Sequence, residues 1–309
     1  MKKYILIIML TFCAAANLLA QTITDGLMMP RKTFCTGFLY GHDSWTGYWE
    51  GDHHRVNGNI GKITTQSINW MGTYGINKKI NIIAMLPYVW TKASQGTLHG
   101  MEGVQDLTVA VKYNFFKINI DSATIKAFAG LAYSTPLTNY SPDFLPLSIG
   151  VQSKRLAWRL TLNYATKMGL YVNASSAYTW RKNITLDRST HLENGSLVQS
   201  DQMFMPNVFD LYVTVGYHKQ AVQAELSYTQ QNTLGGDDIL PQEMPLASNR
   251  MNFSKVGGLV MYYLPWPKYL AVRATASYTV DGRNVGQSTT VMGGLMYTFF
   301  FTKSRDFKI

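Results

Sequence analysis

Charge is scarce in this chain of 309 residues: 15% of its side chains are Asp, Glu, Lys or Arg, whereas 13% are aromatic. Cysteine is scarcer still. Of the two present, Cys13 lies in an N-terminal segment that reads as removable, so Cys35 is left alone and no intramolecular disulfide can form. Beyond that segment no run approaches the roughly 18 unbroken apolar residues that a membrane-spanning helix requires. There is no amphipathic helix of useful length, no phosphate-cradling glycine loop and no nucleic-acid motif. If the chain enters a membrane, it does so with strands.

The chain opens MKKYILIIMLTFCAAANLLAQ. Lys2 and Lys3 precede an apolar stretch from Tyr4 to Ala16, and small Ala20 precedes Gln21. This is the pattern of a cleaved secretory signal over residues 1–21. A lipoprotein signal ending at Cys13 is the alternative, opposed by bulky Phe12 where a small residue is wanted. Without Lys2 and Lys3 the 28 basic residues fall to 26 against 18 acidic ones, a net charge of +8. Export makes nucleic acid an unsuitable partner for that charge.

What is abundant is alternation. In GVQDLTVAVKYNFF (103–116), Leu107, Val109, Val111, Tyr113 and Phe115 share one face of an extended chain, and Thr108, Ala110, Lys112 and Asn114 share the other. The same period recurs at 157–166, 208–219, 221–230 and 269–280. The last such run, TVMGGLMYTFFF (290–301), is apolar enough to aggregate as the exposed edge of a soluble sheet. Short turns, such as Asn77-Lys78-Lys79 and His218-Lys219-Gln220, alternate with long irregular stretches at 44–57, 94–103, 136–146, 191–206 and 234–250. That rhythm is expected of an outer-membrane barrel, with tight turns at one end and long loops at the other. The short turns are basic. The long loops carry Glu50, Asp52, Glu102, Asp143, Asp237, Asp238 and Glu243. Tyr113, Tyr164, Tyr217, Tyr228, Tyr278 and Tyr297 stand near strand ends, where a ring with a polar tip suits the headgroup level.

The expected fold is therefore all-β: a closed antiparallel transmembrane β-barrel over 33–301 of about 14 strands, with 12 as the alternative. A signal (1–21) and a short segment (22–32) precede it, and a tail (302–309) follows. The part least clearly read is 170–190, where GLYVNASSAYTW reads as one strand and NITLDRST as a short return strand. The apolar face should meet lipid and the polar face the lumen.

Several stretches carry a resemblance: GLMMPRKTFCTGFLYGHDS (26–44), MLPYVWTKAS (85–94), the G-x-x-D-L…K-Y pattern of 103–116, AYSTPLTNYSPDFLP (132–146), ELSYT (225–229) and GGDDILP (235–241). The chain resembles the family of predicted outer-membrane transporters named for the meta-cleavage pathway of phenol degradation, itself similar to long-chain fatty-acid channels. The resemblance implies residence in the outer membrane of a Gram-negative bacterium and a transport role, with a substrate that is hydrophobic or aromatic by family name. The sequence offers no separate plug domain of the kind energised receptors carry, so passive uptake of small solutes is expected. Fatty-acid channels carry an N-terminal hatch inside the barrel. Here only TITDGLMMPRK (22–32) precedes the first strand, which reads as too little for such a plug.

Alternation places Lys112, Lys126, Arg159, Asp210, Glu225 and Arg273 on the lumen face as pore-lining candidates, where charge tunes selectivity at little cost if water is present. Cross-lumen salt bridging is the competing role for the same residues. His42, Asp52, His53 and His54 match no defined zinc spacing. Asp237 and Asp238 carry calcium-type ligands on a loop but read better as solvent-facing. An outer-membrane hydrolase would need a Ser–His pair; His191, His218, Ser196 and Ser227 are scattered, and no catalytic residue, metal or cofactor is assigned. A structural or surface-interaction barrel, using loops 191–206 and 234–250, is the remaining class. The expected partners are outer-membrane lipids, a small solute and, during biogenesis, the barrel-assembly machinery.

Overall fold

The computed structural model describes residues 22–193, 195–240 and 244–301. The signal at 1–21, the tail at 302–309 and Glu243 lie outside the described residues. Twelve long strands form one sheet: β1 Thr33–Trp45, β2 Ile63–Gly75, β3 Ile80–Ala93, β4 Asp106–Ile120, β5 Ala123–Pro136 and β6 Arg155–Thr166, then β7 Leu170–Arg181, β8 Val208–Lys219, β9 Val222–Thr233, β10 Asn252–Tyr263, β11 Leu270–Arg283 and β12 Thr289–Phe300. Each strand pairs antiparallel with the next. β12 returns to β1 from Thr33↔Phe300 to Ser44↔Thr289, so no edge is left open. Closure follows from the solvent: in hydrocarbon an unpaired backbone group costs several kcal/mol.

The count is twelve, the alternative rather than about fourteen. GLYVNASSAYTW is β7, as read. The expected return strand at NITLDRST is instead the pair Ile184–Thr185, which bonds to Gln202–Met203 in an outer loop and never enters the wall. Its two residues are far short of the 9–11 or so that a tilted strand needs to cross the bilayer.

The alternation sorts as expected. Val109, Val111 and Tyr113 point outward and are exposed, while Ala110 and Lys112 between them are buried. Leu162, Leu226 and Leu295 likewise face out, opposite Thr161, Glu225 and Gly294. One register detail differs. β4 shifts by one residue between Asn114 and Phe116, and Phe115 and Phe116 are both exposed. From there Ile118 and Ile120 take the outer face, because a bulge inverts the parity of every residue beyond it. A belt of exposed aliphatic and aromatic side chains thus surrounds a polar interior, the reverse of a soluble sandwich.

At the long-loop end, the connections build a cap with its own apolar core. Ile184, Leu186, Met203, Met205, Leu246 and Ala247 bury one another. Asn284 ties two of these loops to the wall. Its Oδ1 accepts from the Gly51 and Ile239 amides at 2.8 and 3.1 Å, and its Nδ2 donates to the Asp238 carboxylate at 2.7 Å and the Arg250 carbonyl at 2.8 Å. Its φ of 55° lies in the left-handed region that asparagine tolerates better than alanine. Asn284→Ala removes all four bonds at once. Three of the half-buried partners, the Gly51 and Ile239 amides and the Arg250 carbonyl, lose this hydrogen bond, while Asp238 keeps Arg283, so the net cost is about 0.5–1.5 kcal/mol for each bond lost. Limited proteolysis should then cut loops 46–57 and 234–250 readily while the barrel keeps its heat-resistant mobility on gels.

Candidate functional site: the barrel lumen

Asp25 organises the site from an unlikely place, the segment before the first strand. Its two carboxylate oxygens fold the chain back on itself. Oδ1 accepts from the Leu27 amide at 2.9 Å, and Oδ2 accepts from the Thr22 amide at 2.5 Å and the Thr22 hydroxyl at 3.0 Å. This compact turn enters the lumen from the short-turn end and meets Lys112 on β4. The Lys112 ammonium donates to the Thr22 carbonyl at 3.0 Å, the Asp25 carbonyl at 2.6 Å and the Asp25 carboxylate at 2.9 Å, and lies 4.9 Å from the centre of the Phe128 ring. Lys112 is 0% exposed, so all of its charge is met by the segment and that ring.

The walls grip the rest of the segment. Lys126 donates to the Gly26 carbonyl at 3.3 Å. A Cβ at Gly26 would lie 2.3 Å from the Asn163 side chain, so only glycine allows this approach. Met29 sits in an apolar cluster with Cys35, Leu39, Met71, Met261 and Tyr263 at the short-turn end of the lumen. Lys32 leaves the barrel through a 2.7 Å bond from its amide to the Gly75 carbonyl. The segment that reads as too little for a hatch nevertheless lies inside the lumen, bonded to Lys112 and Lys126 on one side and bordering the cavity lined by Glu225 and Arg273 on the other.

The other lumen candidates surround this turn. Arg273 and Glu225 line a cavity of about 50 Å³ together with Thr22, Thr24, Asp25 and Tyr212. That volume is well below the roughly 150 Å³ that accepts benzene in an apolar cavity. Glu225 accepts from Tyr171 at 2.5 Å and Gln223 at 2.6 Å, and Arg273 reaches the Met71 sulfur at 3.8 Å. Arg159 donates to Ser175 at 3.0 Å. Asp210 lies in the same row of the wall as Arg159, across the small buried Ala177. Among the described residues no ion pair joins any two of the six candidates. The one pair they form is Lys112 with Asp25. Asn163, Asn173 and Thr214 continue the polar wall as a chain of side-chain hydrogen bonds of 2.7 and 3.0 Å across β6, β7 and β8. These follow from the same alternation. Asp25 does not, since its segment has no periodicity and its contact to Lys112 spans 87 residues.

Further out, Tyr140 of the loop between β5 and β6 donates to Asp106 at 2.6 Å, and Arg155 donates to the other oxygen at 2.6 Å. Burial, and then that hydrogen bond, push the Tyr140 phenol above its ordinary range. The Asp238 carboxylate is bound by Arg283 and Asn284, and the Arg283 hydrogen bonds hold it below the usual carboxylate range. Its oxygens are engaged by donors rather than arranged around a cation. His53 and Asp52 are both exposed, 3.7 Å apart.

A closed barrel with an apolar outer belt, a polar lumen and long loops at one end is an outer-membrane β-barrel, and the outer membrane is where this protein resides. No protein-family model matches the chain, and no curated protein matches it. Among solved structures, the chain is similar in fold to an outer-membrane channel from Pseudomonas putida F1, with a TM-score of 0.71 at 12% identity, covering 91% of this chain and all of that one. The translocator domain of the autotransporter NalP from Neisseria meningitidis (TM-score 0.48, 9% identity, 89% and 91% covered) and a Pseudomonas aeruginosa FadL homologue (0.37, 11%, 88% and 91%) are more distant in shape.

Proposed function

We propose that the protein is a passive channel for small solutes, with residues 22–29 as its built-in constriction. The observation that carries this reading is the docking of the segment. It is held by one ion pair, a few hydrogen bonds and Met29 in the apolar cluster at the short-turn end, and the turn itself sits against polar wall. A filling meant only for stability would be better made from apolar side chains of similar volume, since a buried ion pair is weak support for a fold. The fold likeness to an outer-membrane channel agrees with the reading. Hydrophobic or aromatic solutes are the class implied by the resemblance of 103–116 and 132–146 to the phenol meta-pathway transporters.

The test is solute entry into liposomes carrying the purified protein, using an aromatic solute and a sugar matched in size, against empty liposomes. Faster entry of the aromatic solute supports a selective channel. Equal entry of both indicates a general diffusion pore. No entry of either by demonstrably folded protein removes the channel reading.

A further inference from the structure

Above the constriction, toward the cap, a separate cavity of about 320 Å³ forms a vestibule lined by Asp43, Trp45, Phe253, Lys255, Thr279 and Ser288. Lys255 lies four residues beyond Leu259, which lines the lower cavity, or about 13 Å along the strand. The volume is at the small end of ligand pockets. Its chemistry is specific. Lys255 donates to Ser288 at 3.2 Å and sits 5.0 Å from the centre of the Phe253 ring. Asp43 accepts from Thr290 at 2.5 Å. Neither charge forms an ion pair with any described residue, although both line one cavity. The two opposite charges thus face one cavity with only hydroxyls and a ring as direct partners.

The Trp45 ring is also fixed. A Cβ on Gly286 would lie 2.5 Å from the Trp45 indole, so this glycine lets the backbone lie flat against the ring. Beside them, the β10–β11 ladder slips by one residue between Ser254 and Lys255, so that Lys255 opposes Thr279 and Ser254 opposes Asp281. Such irregularities re-aim side chains near functional sites.

We propose that this vestibule binds a small zwitterion with an aromatic body, its carboxylate on Lys255, its ammonium on Asp43 and its ring between Trp45 and Phe253. A simple aromatic anion would suit Lys255 but would also face Asp43. An aromatic amine would face Lys255. Only a ligand carrying both charges satisfies both groups. The proposal deepens the channel reading by naming the class of solute, and it rests on that reading for the vestibule being an entrance.

Calorimetric titration of the purified protein in detergent tests it, with phenylalanine, phenylacetate, phenethylamine and glycine as probes. Phenylalanine should bind most tightly, and each probe lacking one charge or the ring should lose about tenfold or more, the scale of a charge-assisted hydrogen bond. Lys255→Met should reduce phenylalanine to the level of phenethylamine, and Asp43→Asn to that of phenylacetate. Circular dichroism and heat-resistant gel mobility check that the variants are folded. Equal binding of phenylalanine and phenylacetate, no binding of any probe, or an unchanged order of affinities in Lys255→Met would overturn the proposal. Binding with no liposome entry would leave the vestibule site standing and remove the channel. Unselective entry without binding would do the opposite.

Discussion

Deleting Thr22–Met28 should raise the single-channel conductance in planar bilayers severalfold and leave the barrel folded. The segment takes up the centre of the lumen, and the cavity left beside it holds only about 50 Å³. Its removal exposes Lys112, which is now fully buried, to water that enters in place of the segment. The ammonium is then hydrated, so the deletion carries no penalty of a bare charge in a dry core. Lys112→Met should have a similar effect by another route. It strands the Asp25 carboxylate in the lumen, and breaking a buried pair from one side costs about 3–5 kcal/mol. The turn escapes most of that cost by undocking, since the twelve-strand ladder does not depend on it. Combining deletion and substitution should therefore add little to either alone, because both lead to the same open lumen. Conductance equal to that of the native protein in both variants would mean that the segment is not the barrier.

The second large effect concerns the other face of the wall. Leu131 points outward from the middle of β5, 50% exposed, between Val111 and Trp158 on the neighbouring strands. Leu131→Arg should destabilise the barrel by about 2–4 kcal/mol, the cost of a guanidinium near the bilayer midplane. Ile120→Arg places the same charge at the short-turn end of β4, where the cost should fall to about 0–1 kcal/mol. Reversible denaturant unfolding in lipid vesicles measures both. Equal costs at the two positions would argue against the depth assigned here, and no cost at Leu131 would argue that this face does not meet lipid.

Part of this fold is legible in the amino-acid sequence and part is not. The outward set of β4 could be read from Val109, Val111 and Tyr113, because a face that meets lipid must be apolar at every second residue. Lys112 could be placed in the lumen for the same reason. The bulge at Phe115 could not, since Phe115 and Phe116 are equally at home in lipid and give no sign of which one slips. The return strand expected at NITLDRST is absent from the wall, because a two-residue pairing in the cap carries the same β-forming residues as a short wall strand. Asp25 was invisible for a different reason. Its role depends on the barrel having closed around it, and no local pattern encodes a contact between a turn and a strand 87 residues away. Lys255 and Asp43 likewise become neighbours only when β10 and β1 are brought to opposite sides of one vestibule.

The way the segment is attached has a kinetic meaning. Lys32 is pinned to the rim by Gly75, so the turn at Thr22–Asp25 is a ligand on a leash of fewer than ten residues. For so short a tether the effective concentration is of millimolar order. The tether therefore speeds the return of the turn whenever it is displaced, even if its intrinsic affinity is modest. On the channel reading proposed above, a solute needs to displace it only briefly, and the seal then re-forms without any supply of energy. Free peptide of the same sequence would have to approach that millimolar level before it could take the place of the tethered copy.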